Sequence, residues 1–233
     1  MSTAETRREE LRAVYEQAQG CTRCPQLAAT RQTVVFGSGN ADADLMFVGE
    51  APGANEDKQG VPFVGQAGKL LDQLLGEIGL TRPDVFVVNV LKCRPPGNRD
   101  PLPQEIDNCQ DYLFRQLELI RPKVVCSLGN FSTKLLRGDP TGITRLHGRE
   151  EVRVIGHRAV RLYPLFHPAA ALYTPANVEV LRQDFARLPE LLAAESPPQP
   201  GAPAPEVPAV PEPAIEPELE PVAPVGEDQL GLF

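Results

Sequence analysis

Four short apolar runs, each bounded by turn residues, set the frame for this chain: "DLMFVG" (44–49), "VFVVNVL" (85–91), "KVVCSLG" (123–129) and "VRLYPLFH" (160–167). A run that is apolar at consecutive positions suits a strand buried on both faces, and such strands belong to parallel sheets covered by helices. Helical patterns separate the first three. Leu70, Leu71, Leu74, Leu75 and Ile78 share one face, with Gly79 as a stop. Pro103 opens a second helix whose inner stripe is Ile106, Cys109, Leu113 and Leu117. A short helix is expected near 131–136, a small hairpin within 143–165 leading into the last strand, and a final helix over about 176–193. Strands alternating with helices predict a three-layer α/β/α domain around a central, mainly parallel four-stranded sheet. The N-terminal "MSTAETRREELRAVYEQAQG" predicts an amphipathic helix: Ser2 and Glu5 have capping-box spacing, Leu11, Val14, Tyr15 and Ala18 form one stripe, and Gly20 ends it.

The stretch from Glu195 to Phe233 differs in kind. It holds 11 of the 25 prolines, eight of the 31 acids and none of the 23 bases. The net charge of −8 is therefore the tail's, and the body is neutral. Pro, Ala and Glu at this density bury too little apolar surface to offset chain entropy. The expected organisation is a domain at 1–194, a disordered linker at 195–228 and an apolar end at 229–233. No run approaches the roughly 18 apolar residues of a membrane span, and the N-terminus lacks the apolar core of a signal peptide. A cytoplasmic protein without structural disulfides is expected.

The five cysteines then need another account. Cys21-x2-Cys24 and Cys93-x15-Cys109 together offer four thiolates, which suits one tetrahedral zinc or one iron–sulfur cluster, and spacing is compatible with both. Cys126, inside "VVCSL", reads as a small core residue. The loop "KCRPPGNRDPLP" is too rich in Pro and Gly to hold one conformation by packing alone. A metal tether there would be structural, and it would leave Lys92, Arg94 and Arg99 as phosphate contacts.

Ligands in such sheets bind at the carboxyl ends of the strands. Glu50, Asn89 and His167 all fall at or near such ends. Residues 49–68, "GEAPGANEDKQGVPFVGQAG", form a shaped loop with five glycines and two prolines, and Phe63 on that loop could serve as a stacking platform. Glu56 and Asp57 are further acids nearby. The loop has neither a Walker A nor a GxGxxG pattern.

Together "GEAPGANEDKQGVPFVGQAGKLLDQLL", "NVLKCRPPGNRDPLPQEIDNC" and "FHPAAAL" resemble the family 4 uracil-DNA glycosylases, over roughly residues 10–190. The resemblance implies the uracil-DNA glycosylase fold and a structural [4Fe–4S] cluster on Cys21, Cys24, Cys93 and Cys109. It implies a monofunctional repair hydrolase that flips uracil out of DNA and cuts its N-glycosidic bond, leaving an abasic site. Phe63 would stack on the base, and Asn89 would pair with its O4 and N3–H edge. His167 would stabilise the negative charge gathering on O2. Glu50 would orient or activate water, with the amides of Gly49, Glu50 and Ala51 near the base. Relatives often follow "HPA" with larger apolar residues and an arginine; here "AALYTPAN" makes Leu172 or Tyr173 the duplex wedge with no base after it. Arg145, Arg149, Arg153 and Arg158 are alternative DNA contacts. The terminal "QLGLF" resembles the bacterial sliding-clamp-binding pentapeptide, with Gln229 as an orienting amide and Leu230, Leu232 and Phe233 as apolar anchors. The expected partners are uracil-containing DNA and that clamp, with the enzyme itself a monomer. Two alternatives stay open at this point: another deaminated base such as hypoxanthine, and a non-catalytic, metal-stabilised nucleic-acid-binding module.

Overall fold

A computed structural model describes residues 3–201 of the chain. The four expected strands are β2 (Leu45–Gly49), β3 (Phe86–Asn89), β4 (Val124–Leu128) and β6 (Arg158–Leu165), and they run parallel in the order β3-β2-β4-β6. The sheet is wider than expected. A two-residue β1 (Ser38–Gly39) pairs antiparallel with β3, and β5 (Glu151–Ile155) pairs antiparallel with β6 as the predicted hairpin. Six strands result, with four parallel strands between two antiparallel edges.

Alternate residues of each parallel strand feed opposite layers, as the pleat requires. Met46 and Val48 of β2 join Val88, Val125, Val160 and Leu162 on one face. There they meet α1 (Ala4–Gln19) through Leu11, Val14 and Ala18, and α5 (Pro103–Ile120) through Cys109, Leu113 and Leu117. Leu45 and Phe47 join Val87, Val124, Cys126 and Leu165 on the other. That face is covered by α4 (Gln66–Glu77) through Leu70, Leu71, Leu74 and Leu75, and by α9 (Ala176–Ala186) through Leu181 and Phe185. Phe47 and Phe185 stack at 5.7 Å and 12°. Cys126 is fully buried in β4, as a core residue should be. Continuous apolar runs were legible because both faces of these strands are covered.

Short helices complete the layers: α2 (Pro25–Thr30), α3 (Ala54–Gln59), α6 (Gly129–Arg137), α7 (Ile143–Leu146), α8 (Pro168–Tyr173) and α10 (Leu188–Ala193). The expected final helix is thus two, α9 and α10, separated at Arg187 just before Pro189, whose ring cannot continue an i−4 ladder. At the N-terminus Thr3, not Ser2, is the N-cap: its hydroxyl accepts the Thr6 N–H at 3.2 Å. Ser2 lies outside the described residues, as do Gln229, Leu230, Leu232 and Phe233.

Residues 195–201, expected at the start of the linker, are among the described residues. The Gln199 side chain bonds both the N–H and the carbonyl of Ala159 (3.2 and 2.9 Å), and Arg161 donates to the Glu195 carbonyl at 2.9 Å. Among the described residues no helix is long and apolar enough to cross a membrane.

Candidate active site

Three strand ends converge. Gly49 at the end of β2 is register-paired with Asn89 at the end of β3, and His167 follows β6 to cap α8. Just past the pair, Val90 and Leu91 donate to the Gly49 and Glu50 carbonyls, both at 3.0 Å, so the exits of β2 and β3 leave together. A cavity of about 400 Å³ opens there, within the range of small-ligand sites. Glu50, Ala51, Phe63, Asn89 and His167 all line it, joined by Glu56, Asn98 and Arg99. Gly49 does not line it but packs against two residues that do: a Cβ there would run into Asn89 Oδ1 and come within 2.7 Å of Phe63 Cζ.

Each polar group has a defined state. The His167 Nδ1 accepts the Ala169 N–H at 3.1 Å, the N-cap bond of α8. Burial lowers the His167 pKa to about 4, so the ring is neutral at pH 7. A neutral imidazole whose Nδ1 accepts must carry its proton on Nε2, which makes that nitrogen a donor. The Phe63 and His167 rings lie 5.6 Å apart at 27°. Glu50 is half-buried, and desolvation, followed by the nearby Asp100 carboxylate, raises its pKa above the ordinary carboxylate range.

Phe63 has a φ of +55°. A bulky residue in the left-handed region costs about 1–3 kcal/mol and persists only where its surroundings over-determine it. Glu56 contributes to that: one carboxylate oxygen accepts the Val64 and Gly65 N–H groups, both at 3.0 Å. Asp57 is buried and accepts the N–H groups of Gln32 and Thr33, so both acids are engaged in holding loops. Arg82 donates to the Phe63 carbonyl at 2.8 Å. Nothing in the sequence pattern links Arg82 to the site, because it lies beyond α4; Glu56 was visible as an acid on the loop, but its task was not.

Asn89 is almost wholly buried, and its main-chain carbonyl accepts from Lys92 Nζ at 2.7 Å. The same ammonium donates to Gln116 Oε1 at 2.7 Å, and Gln116 in turn donates to the Phe36 carbonyl. Lys92 is therefore no phosphate contact; it is 1 % exposed and spends its donors inside. Arg99 is likewise engaged, bidentate with the buried Glu105 (2.6 and 2.9 Å), whose carboxylate also accepts the Leu102 N–H. Arg94 donates to Asn98. The bases expected to face DNA from this loop thus serve first to shape it.

The four cysteines gather beside that loop. Cys93 and Cys109 are buried, with Cys21 and Cys24 packed against the same core face. Three sulfurs accept hydrogen bonds: Cys109 from the Lys92 N–H at 3.3 Å, Cys93 from Arg31 at 3.2 Å and Cys24 from the Asn108 amide at 3.6 Å. Burial pushes the Cys109 thiol up to about 11, with Lys92 pulling the other way, and Cys93 and Cys24 add to the rise. Cys93 feels Cys21 and Cys24 in the same way. Among the described residues, no three His, Cys, Asp or Glu side chains are gathered tightly enough to hold a single metal ion.

Leu172 and Tyr173 end α8, whose Ala169 lines the cavity, with 48 % and 88 % of their surfaces exposed. Of the four arginines expected on the hairpin, Arg145 lies in α7 and Arg149 just after it, so only Arg153 and Arg158 are on strands. Arg153 pairs with Glu151, and the Arg158 Nε is buried without a hydrogen-bond partner.

Comparison with known proteins places the chain in a family. A family model described as the uracil DNA glycosylase superfamily matches residues 36–188. The type-4 uracil-DNA glycosylase of Archaeoglobus fulgidus is 45 % identical over 194 residues, covering 81 % of this chain and 96 % of that protein. Its namesake from Sulfurisphaera tokodaii is 45 % identical, covering 78 % and 85 %, and that from Thermotoga maritima is 43 % identical, covering 74 % and 88 %. The matched region spans every strand of the described sheet and the relatives align over most of their length, so the chain belongs to the uracil DNA glycosylase superfamily.

Proposed function

We propose that this protein is a DNA-repair glycosylase that removes uracil from DNA by hydrolysis, leaving an abasic site. One observation carries the reading: Phe63, Asn89, His167 and Glu50 line a single cavity at the strand ends. A base reaches such a cavity only when flipped from its stack. The Phe63 ring supplies a face for it. Asn89, with one amide donor and one acceptor, matches the O4 and N3–H edge of uracil, and cytosine reverses both groups. Mismatched buried polar groups cost about 1–3 kcal/mol each, so the amide rejects cytosine. The Nε2–H of neutral His167 donates to O2 as charge moves onto the departing base; a donor of this kind is worth about 10²–10³ in rate elsewhere. Glu50, ionised, orients the water that attacks the sugar, and the Gly49–Ala51 backbone borders the base. None of the described residues lining the cavity is a lysine, which supports a monofunctional reaction without a covalent imine.

Cys21, Cys24, Cys93 and Cys109 would hold a [4Fe–4S] cluster. Four thiols with N–H donors aimed at three of them suit it. When bound, the cluster supplies a structural crosslink between the start of α2, the loop after β3 and α5. The cytoplasm keeps those thiols available. Leu172 and Tyr173, exposed at the end of α8, are the wedge that enters the duplex. The tail carries Gln229, Leu230, Leu232 and Phe233 as a peptide for the DNA sliding clamp, with the linker that follows the fastened stretch 195–201 setting its reach and the enzyme acting as a monomer.

The test uses end-labelled oligonucleotides carrying U, hypoxanthine or T, followed by alkaline cleavage of abasic sites. Scission at uracil alone, unaffected by EDTA, is expected. Cleavage at hypoxanthine would reassign the base that Asn89 reads, and no cleavage by protein with an intact cluster would remove the enzyme reading.

A further inference from the structure

We infer that Arg82 and Glu56 are positioning residues that fix the stacking ring of Phe63 by clamping the two ends of one peptide. The inference rests on the proposed function and deepens it. The peptide between Phe63 and Val64 has its carbonyl bound by Arg82 Nη2 at 2.8 Å and its N–H bound by Glu56 Oε1 at 3.0 Å. A cation holds one end of its dipole and an anion the other. Phe63 cannot return to a negative φ without swinging this peptide and giving up both contacts, so the pair holds a left-handed aromatic that the backbone alone disfavours.

The neighbours tighten the clamp. Glu56 accepts the Gly65 N–H with the same oxygen, and Arg82 also reaches the Gly68 carbonyl at 3.5 Å. Asp72 on α4 pairs with Arg82 from the solvent side and aims it inward. The Phe63 carbonyl lies so close over Gly68 that a Cβ there would collide with it. Arg82 opens a short 3₁₀ turn just before β3, so its backbone is anchored to the sheet while its guanidinium holds the loop. The strained ring is thereby referenced to the strand whose end bears Asn89. Arg82 does not line the cavity, and Glu56 touches it only from the wall; both act through Phe63.

A double-mutant cycle tests this. Single-turnover excision of uracil from an oligonucleotide and inhibition by free uracil would be measured for the full chain, Arg82→Met, Phe63→Ala and the double variant. Misplacing a reacting group by about 1 Å costs up to about 100-fold, so Arg82→Met should slow excision about 10- to 100-fold and weaken uracil inhibition in parallel. In the Phe63→Ala background it should change both by less than about twofold, because the ring it positions is gone. Arg82→Lys, which keeps one donor, should recover part of the loss. The chain has no tryptophan, so Phe63→Trp adds a single indole, excited selectively beyond the tyrosines, whose quenching by uracil should be lost when Arg82→Met is added. If the parent chain excises uracil but Arg82→Met is equally costly with and without Phe63, or costs nothing, this inference alone is overturned. A parent chain that excises no uracil would overturn the functional reading and the clamp with it.

Discussion

At the residue scale, two titrating groups of opposite task occupy one cavity. In the proposed reaction Glu50 acts on water as a carboxylate, and burial, followed by the nearby Asp100, raises its pKa. The excision rate should therefore fall on the acid side at a higher pH than for an ordinary carboxylate. Asp100→Asn removes one of the two causes and should move that limb to lower pH in a rate profile from pH 4 to 8; an unmoved limb would separate Asp100 from Glu50. His167 works in the other direction. Its folded pKa of about 4 lies below the ordinary 6.5, so the unfolded chain binds the extra proton between those values. Stability from this group is present above about pH 6.5 and is lost as pH falls toward 4. Replacing it by Asn, which can still cap α8 but cannot titrate, should flatten that decline in urea midpoints measured from pH 7 to 4, while slowing excision about 10²–10³-fold.

At the element scale, the loop from β2 to α4 is built to a tolerance of single atoms. Gly68→Ala puts a methyl against the Phe63 carbonyl, and overpacking of this kind costs about 1–3 kcal/mol. The variant should melt earlier and excise more slowly, and an unchanged melting temperature would show that the carbonyl can move aside. The cysteine elements carry the next expectation. Serine at any one of Cys21, Cys24, Cys93 or Cys109 should abolish visible absorbance around 400 nm and lower the melting temperature by about 10 °C or more.

The same elements show what a sequence discloses. β2, β3, β4 and β6 were legible because both faces are apolar. β1 was not, since two residues carry no period, and β5 showed only as half of a hairpin, because its outward Val152 and Val154 are exposed. Glu50, Asn89 and His167 could be placed at strand ends by counting. The conformation of Phe63 could not: an aromatic at positive φ opposes every local preference, and the residues that impose it, Glu56 and Arg82, lie on different elements. Lys92 was misassigned for a related reason. A lysine in a polar loop ordinarily faces water, and here the cysteine site and Gln116 draw it inward.

At the scale of the whole molecule, the proposed function gives the acidic tail and the folded body separate tasks. Removing residues 229–233 should abolish binding to the sliding clamp in a titration by anisotropy and leave excision from short oligonucleotides unchanged. Equal clamp affinity with and without them would detach the tail from any such role. Placement of the exit matters to that scheme. Gln199 fastens the last described stretch to Ala159, near the amino end of β6, whereas His167 follows its carboxyl end. An eight-residue strand is roughly 25 Å long. The last described stretch is thus fastened at the amino end of β6, the end of that strand away from His167 and the cavity.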